Sequence, residues 1–193
     1  KQKTAYEIKE CDWSSDVCSS DLATIGHGLG IAPNFIFLKQ RNGSTYGWIA
    51  YHSALGAGSY LVLSQTYAGT ADTAMFSNTA PTSSVVTLSN GVDIVITNPN
   101  SGTMVAYCFA AIPGFSAFGS YTGNGSSSGP FIYCGFRPRY VLVKAFSTTG
   151  DWCILDTSRS PYNLSAAELY PNLSDRKSTR LNSSHIPLSR MPS

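Results

Sequence analysis

Two segments of this chain can be laid over one another, and that self-similarity limits the fold more than any other feature. GLGIAPNFIFLKQRNGSTYGWIAYHSA aligns with CGFRPRYVLVKAFSTTGDWCILDTS. Pro33 falls on Pro138, Phe35 on Tyr140, Ile36 on Val141, Leu38 on Val143 and Lys39 on Lys144. After a loop one residue shorter, Trp48 falls on Trp152, and a looser echo sets YLVLSQT against ELYPNLS. Each copy reads as a β-hairpin: a Pro that suits the first residue of a strand, an apolar strand ending in Lys, a polar turn, and a Trp-led return strand. The lysine stems can lie along the sheet while their ammonium groups reach its rim.

The rest of the central sequence agrees. Turn signals recur at Asn42-Gly43, Asn90-Gly91, Asn100-Ser101-Gly102, Asn124-Gly125 and Gly150-Asp151. Between them lie short runs rich in β-branched and aromatic residues, the pattern of an all-β chain. NFIFLKQ, GWIAYHS, YLVLSQ, SVVTLS, DIVIT, MVAYCFAA, FIYCGF, RYVLVKAF and DWCILDT are the expected strands, and Ser165–Leu169 is the one candidate helical turn. In NFIFLKQ both alternate faces are apolar until the Lys, so this strand should be central and covered on both sides.

The two ends do not share this character. Back-translated with permitted codons, Asp175–His185 gives a DNA string whose complement, read two bases out of frame, encodes Asp12–Asp21. The agreement continues outwards, through Ile186–Leu188 against Ile8–Cys11, to SRMPS against KQKTAYE. We therefore read 1–22 and 175–193 as one translated sequencing adapter in opposite orientations, and set both aside from fold reasoning. The expected organisation is a first β unit over 23–125 and a truncated second unit over 126–174. Cys11 and Cys18 then belong to no metal site or disulfide. The fold expected is an antiparallel β-sandwich, jelly-roll-like, built from a duplicated hairpin-containing unit whose second copy is cut short.

Between the flanks remain 6 of the 13 basic and 5 of the 11 acidic residues, far below the usual quarter of charged residues. No basic stripe is present to bind nucleic acid, and no apolar run is long enough for membrane insertion as a helix. Cys108, Cys134 and Cys153 are odd in number and lie in apolar runs, as buried free thiols do.

Catalytic patterns are missing. The central region holds His27 and His52 and five acids, without H-x-x-x-H, C-x-x-C or G-x-S-x-G. GHGLG lacks the partners of a phosphate loop and reads as a turn. Asp151 and Asp156 could imitate a glycosidase pair, but a spacing of five puts them on opposite faces of a strand. No catalytic residue, cofactor or metal is expected. The candidates for ligand contact are aromatic: Tyr46, Trp48, Tyr51, Trp152 and Tyr162, the residue types that form platforms in sugar-binding sandwiches. Tyr67 and Tyr121, in turns, are further surface candidates.

Four ordered stretches carry a resemblance: GHGLGIAPNFIFLKQRN with GWIAYHSALG, SNTAPTSSVVTLS, VAYCFAAIPGFSAFGSYTGNG, and GPFIYCGFRPRYVLVKAFSTTGDWCILDTSRSPYN. Together they resemble a family of tailed-bacteriophage proteins frequent in marine viral metagenomes, described as uncharacterised or as tail and virion structural proteins. The resemblance implies a non-enzymatic virion protein of the phage tail, tail-associated or receptor-binding. The partners expected are other virion proteins, with host surface glycans and further copies of the chain as further candidates; the family brings no established ligand. A carbohydrate-binding β-sandwich module is the alternative. Three structural expectations follow. The flanks pack against nothing, and the two hairpins superpose with their tryptophans in equivalent settings. Val141, Val143, Trp152 and Ile154 are on average less buried than Ile36, Leu38, Trp48 and Ile49, because the second unit lacks later strands to cover it.

Overall fold

The computed structural model describes residues 23–42, 46–89, 94–99, 102–126, 128–161, 167–174 and 177–179. Its strands are β1 (Thr24–Gly26), β2 (Phe35–Gln40), β3 (Ile49–His52), β4 (Ser59–Val62), β5 (Thr70–Ala71), β6 (Val85–Thr87), β7 (Met104–Phe109), β8 (Tyr140–Lys144), β9 (Trp152–Asp156), β10 (Ala167–Leu169) and β11 (Lys177–Thr179), with one helical turn, α1 (Ile94–Thr97). All pairings are antiparallel: a five-stranded sheet β5-β4-β3-β2-β7, a four-stranded sheet β11-β10-β9-β8, and a two-stranded ribbon β1-β6. The protein is all-β in class, with a sandwich-like arrangement of antiparallel sheets.

Strand β2 is central and covered on both faces, as its pattern requires. Ile36 and Leu38 point into one core with Ile49, Tyr51, Met75, Phe76, Val86 and Leu88. Phe35 and Phe37 point the other way, into a core shared with Ala50, Leu61, Leu142 and Trp152. The second core is where the two sheets meet. Trp152 is 2% exposed, and its indole N–H donates to the Val62 carbonyl at 3.0 Å. Three more bonds tie the β8–β9 turn to the segment after β4: Gly150 N–H to Thr66 O at 2.8 Å, Gly69 N–H to Phe146 O at 2.7 Å, and Lys144 Nζ to Thr66 O at 3.3 Å.

The two hairpins pair residue for residue alike. Phe35↔His52, Ile36↔Tyr51, Phe37↔Ala50 and Leu38↔Ile49 in the first match Tyr140↔Asp156, Val141↔Leu155, Leu142↔Ile154 and Val143↔Cys153 in the second. The closing bonds match as well, with Ser53 N–H to Asn34 O at 2.8 Å and Thr157 N–H to Arg139 O at 3.0 Å. So do the turns that follow: Gly56 N–H reaches His52 O and Ser160 N–H reaches Asp156 O, both at 3.2 Å. The glycines leading into the hairpins, Gly30 and Gly135, share a φ of 78°, a conformation that disfavours side chains with a Cβ.

Four expectations are corrected. DIVIT does not form a strand: Ile94–Thr97 makes a helical turn despite four β-branched residues, which disfavour helix. Tertiary contacts win, because Ile96 packs on the first core, while the buried Thr97 Oγ1 accepts from Ser89 N–H at 3.2 Å and donates to Met75 O at 3.4 Å. SAAEL is no helical turn in its described part, where Ala167–Leu169 is strand β10. FIYCGF is not a strand; it lies largely exposed, and among the described residues it has no β6 counterpart beside it as β1 has. And the tail stretch pairs after all, since Lys177–Thr179 lines up on β10 with Glu168 opposite Ser178. An open strand edge offers backbone N–H and C=O groups that accept an extended segment whatever its side chains. The first flank, 1–22, lies outside the described residues.

Three of the four second-unit residues are less buried than the buried members of the first-unit set, and the fourth is not. Val141, Val143 and Ile154 are half-buried where Ile36, Leu38 and Ile49 are buried, but Trp152 is sealed and Trp48 only half-buried. The tryptophans occupy like places on their hairpins, yet the first unit's sheet closes over Trp152 while Trp48 stays half-buried. The three central cysteines are half-buried, not fully buried as expected.

Candidate functional site

The aromatic candidates do not converge. Tyr51 is 3% exposed, set against Phe76 at 5.5 Å between ring centres, and burial raises its phenol pKa. Trp152 is sealed between the sheets. Both are core side chains, and a ligand could meet them only if the layers parted. This corrects their placement among ligand-contacting residues: in a two-sheet protein a strand aromatic that alternates inwards fills the core. Tyr162 lies outside the described residues.

Trp48 and Tyr46 remain near the surface. Trp48 stands 5.8 Å from the Tyr107 ring and 6.4 Å from Phe37, and its carbonyl accepts Leu63 N–H at 2.9 Å. Tyr46 is 44% exposed, and its carbonyl accepts the Lys39 ammonium. Lys144 repeats this habit on the second hairpin, donating to Ala145 O at 2.8 Å. Burial lowers its pKa, with nearby Asp151 partly offsetting. The stems and ammonium groups of both lysines therefore behave as the rim reading expects.

The two acids that might have imitated a glycosidase are occupied locally. Asp151 accepts from Asn172 Nδ2 at 2.7 Å. Asp156 accepts from the backbone of Ser158 and Arg159 at 3.0 and 2.8 Å and from Arg159 Nε at 2.6 Å. The Arg159 side-chain bond, foremost, holds the Asp156 pKa below the ordinary value. Its counterpart His52 uses Nδ1 to accept Ala54 N–H at 3.0 Å, so both residues serve as turn acceptors. Among the described residues no three His, Cys, Asp or Glu side chains cluster as metal ligands.

Two surface features were not legible as sites in the sequence, apart from Tyr121 as a surface candidate. One is a cleft of about 460 Å³ lined by Arg137, Arg139, Thr157 and Pro161, where the hairpin register brings the strand's start and end together. The alternation of Arg137 and Arg139 was its only sequence signal. The other is the segment between β7 and β8, which exposes Phe115, Tyr121, Phe131, Ile132 and Tyr133, with Phe131 90% and Tyr133 83% exposed. Large exposed apolar side chains of this kind are what contact surfaces use. Tyr121 and Tyr67 are exposed, as their turn positions suggest.

Fold and surface together define an all-β protein with a sandwich-like core and an aromatic display segment. The chain belongs to a domain family of unknown function, DUF7483, which it matches over residues 13–189, a span that takes in parts of both flanks. No curated protein and no solved structure matches it.

Proposed function

We propose that this is a non-enzymatic structural protein of a phage virion, tail-associated or receptor-binding, which works by contact and assembly. The observation that carries the reading is the exposure of Phe115, Tyr121, Phe131, Ile132 and Tyr133. A weakly charged chain that holds aromatic side chains out on a segment without strands is suited to docking on other virion proteins. The resemblance to tailed-phage proteins points the same way, and the matching hairpins support a duplicated unit. Antibodies against the protein, applied to phage particles encoding a close relative, should label the tail in electron micrographs. Labelling confined to infected-cell lysate, with particles bare, would sink the proposal.

A host-glycan-binding role is the second reading, favoured by the Arg137–Arg139 cleft, whose guanidinium groups suit acidic sugars. A glycan array should then give hits that Arg139→Ala abolishes; an array without specific hits removes this reading and leaves the first intact. We also propose that the flanks are translated adapter. Direct sequencing across the gene in source DNA should diverge from them at both junctions, and a genome encoding both flanks would overturn this.

A further inference from the structure

The segment between β7 and β8 carries Asn124-Gly125 within the turn-rich stretch YTGNGSSSG. Asn124, Gly125 and Ser126 are all exposed. Asn124 Oδ1 accepts Ser126 N–H at 3.0 Å, a bond that folds the side-chain amide back over the peptide joining Asn124 to Gly125. Ser126 is braced in turn, its carbonyl accepting Gly129 N–H at 3.0 Å and its hydroxyl Ser128 N–H at 3.2 Å. Gly125 N–H donates to no group among the described residues. Gly125 has a φ of 68°, and the space a Cβ would take there is open to 4 Å.

Together these place a nucleophile beside an electrophile. The Gly125 nitrogen has no side chain to shield it and no protein acceptor to hold its proton. Asn124 Cγ is the carbon it reaches by closing a five-membered ring. Ser126 N–H already holds the oxygen on which negative charge builds as that ring closes. Asn42-Gly43 offers a contrast. Asn42 Oδ1 accepts Thr103 N–H at 2.8 Å, just ahead of β7, so its amide is held across to another segment. The third such pair, Asn90-Gly91, lies outside the described residues.

We propose that Asn124 is a site of spontaneous modification, promoted by its own turn, in which the side-chain amide becomes a carboxylate through a cyclic imide. A base in solvent takes the Gly125 amide proton, and the nitrogen attacks Asn124 Cγ to form a new C–N bond. The tetrahedral adduct collapses by breaking the Cγ–Nδ2 bond, and that nitrogen takes up a proton and leaves as ammonia. Water then opens the imide. Addition at the former side-chain carbon gives aspartate. Addition at the main-chain carbon gives isoaspartate, with the chain rerouted through the former side chain. The net change consumes water and releases ammonia. Between Asp93 and Arg137 the sequence has no charged residue, so the product sets a lone carboxylate between Tyr121 and Phe131. The inference rests on loop chemistry and holds or fails independently of where the protein works.

The test incubates the full chain at mildly alkaline pH and maps its peptides by mass spectrometry, with fragmentation that separates aspartate from isoaspartate. Asn124 should convert to both products, faster than Asn42 and faster as pH rises. Asn124→Gln must close a larger ring, and Gly125→Ala shields the nitrogen and resists the positive φ. Each should slow conversion by about tenfold or more, and neither touches the core, since both positions are exposed. A synthetic peptide of residues Tyr121–Pro130 supplies the unstructured reference. The full chain should match or exceed its rate, because the turn already holds the amide in place. A slower rate in the full chain than in the peptide would show that the turn protects Asn124, and would overturn the proposal. So would conversion at Asn124 no faster than at Asn42, or an unchanged rate in Gly125→Ala.

Discussion

Trp48 and Trp152 open their strands at matching places, but only Trp152 is closed over by the opposite sheet, with its indole N–H bonded to Val62 O. Trp152→Ala should therefore cost about 3–5 kcal/mol, the usual range for emptying a large core site. Trp48→Ala should cost clearly less, because part of its surface already meets water. Urea unfolding of both variants measures the difference, and equal losses would contradict the asymmetry. At the strand ends, His52 and Asp156 do the same structural task with different chemistry. Burial lowers the His52 pKa below 6.5, so the folded protein binds fewer protons than the unfolded chain between its lowered value and 6.5. Stability is then complete above that window and declines as pH falls through it. His52→Asn keeps an acceptor for Ala54 N–H without the titration, and should flatten stability across the window. The Asp156 pKa is also lowered, so its contribution holds above the ordinary carboxylate value and is lost in stronger acid. Asp156→Asn should remove that lower-pH loss and leave the one near His52 in place.

At the scale of elements, the hairpins share a register and a glycine just ahead of the first strand. Gly30 and Gly135 both have φ near 78°, with nothing within 4 Å of an added Cβ, so alanine there meets strain and no clash. Gly30→Ala and Gly135→Ala should each cost about 1 kcal/mol, measured by thermal or urea unfolding. A large difference between them would mean that the surrounding structure supports the two glycine turns differently. The hairpins diverge in how the Trp strand is fastened to its outer neighbour. Trp48 O accepts Leu63 N–H, but the matching place in the second unit is Pro171, which has no N–H. There Asn172 Oδ1 accepts from Trp152 N–H at 2.9 Å instead. Asn172 thus fastens the Trp152 N–H, and its oxygen, an acceptor, does not stand in for the donor that proline removed.

Across the whole molecule, the second core joins sheets drawn from distant halves of the sequence. The face bearing Phe35, Ala50 and Leu61 has Trp152 as its cover, so neither sheet keeps its buried surface if the other departs. Heating should accordingly give one transition, with near-ultraviolet signals from the tryptophans and far-ultraviolet strand signals coinciding. Two separated transitions in the wild-type chain would show the units to be independent. Trp152→Ala should loosen the coupling and begin to split them. The exposed Phe131–Tyr133 stretch adds a different hazard, since an apolar patch of this sort promotes association.

The sequence alone determined what depends on alternation and local turn chemistry. The all-β class, the two hairpins, the central place of NFIFLKQ and the rim position of Lys39 and Lys144 were all legible, because a strand's period of two assigns each side chain to a face before any partner is known. What no local pattern can state is which partner covers a face. That decided the rest. IVIT became a helical turn because the buried Thr97 found Ser89 and Met75, and FIYCGF stayed out of the sheets, with no strand beside it among the described residues. Ala167–Leu169 became a strand because β9 offered an edge. Tyr51 and Trp152 looked like a binding platform in sequence and proved to be core, because a strand aromatic has the same pattern on either face. Only the packing of one sheet on the other determines whether water or protein lies against it.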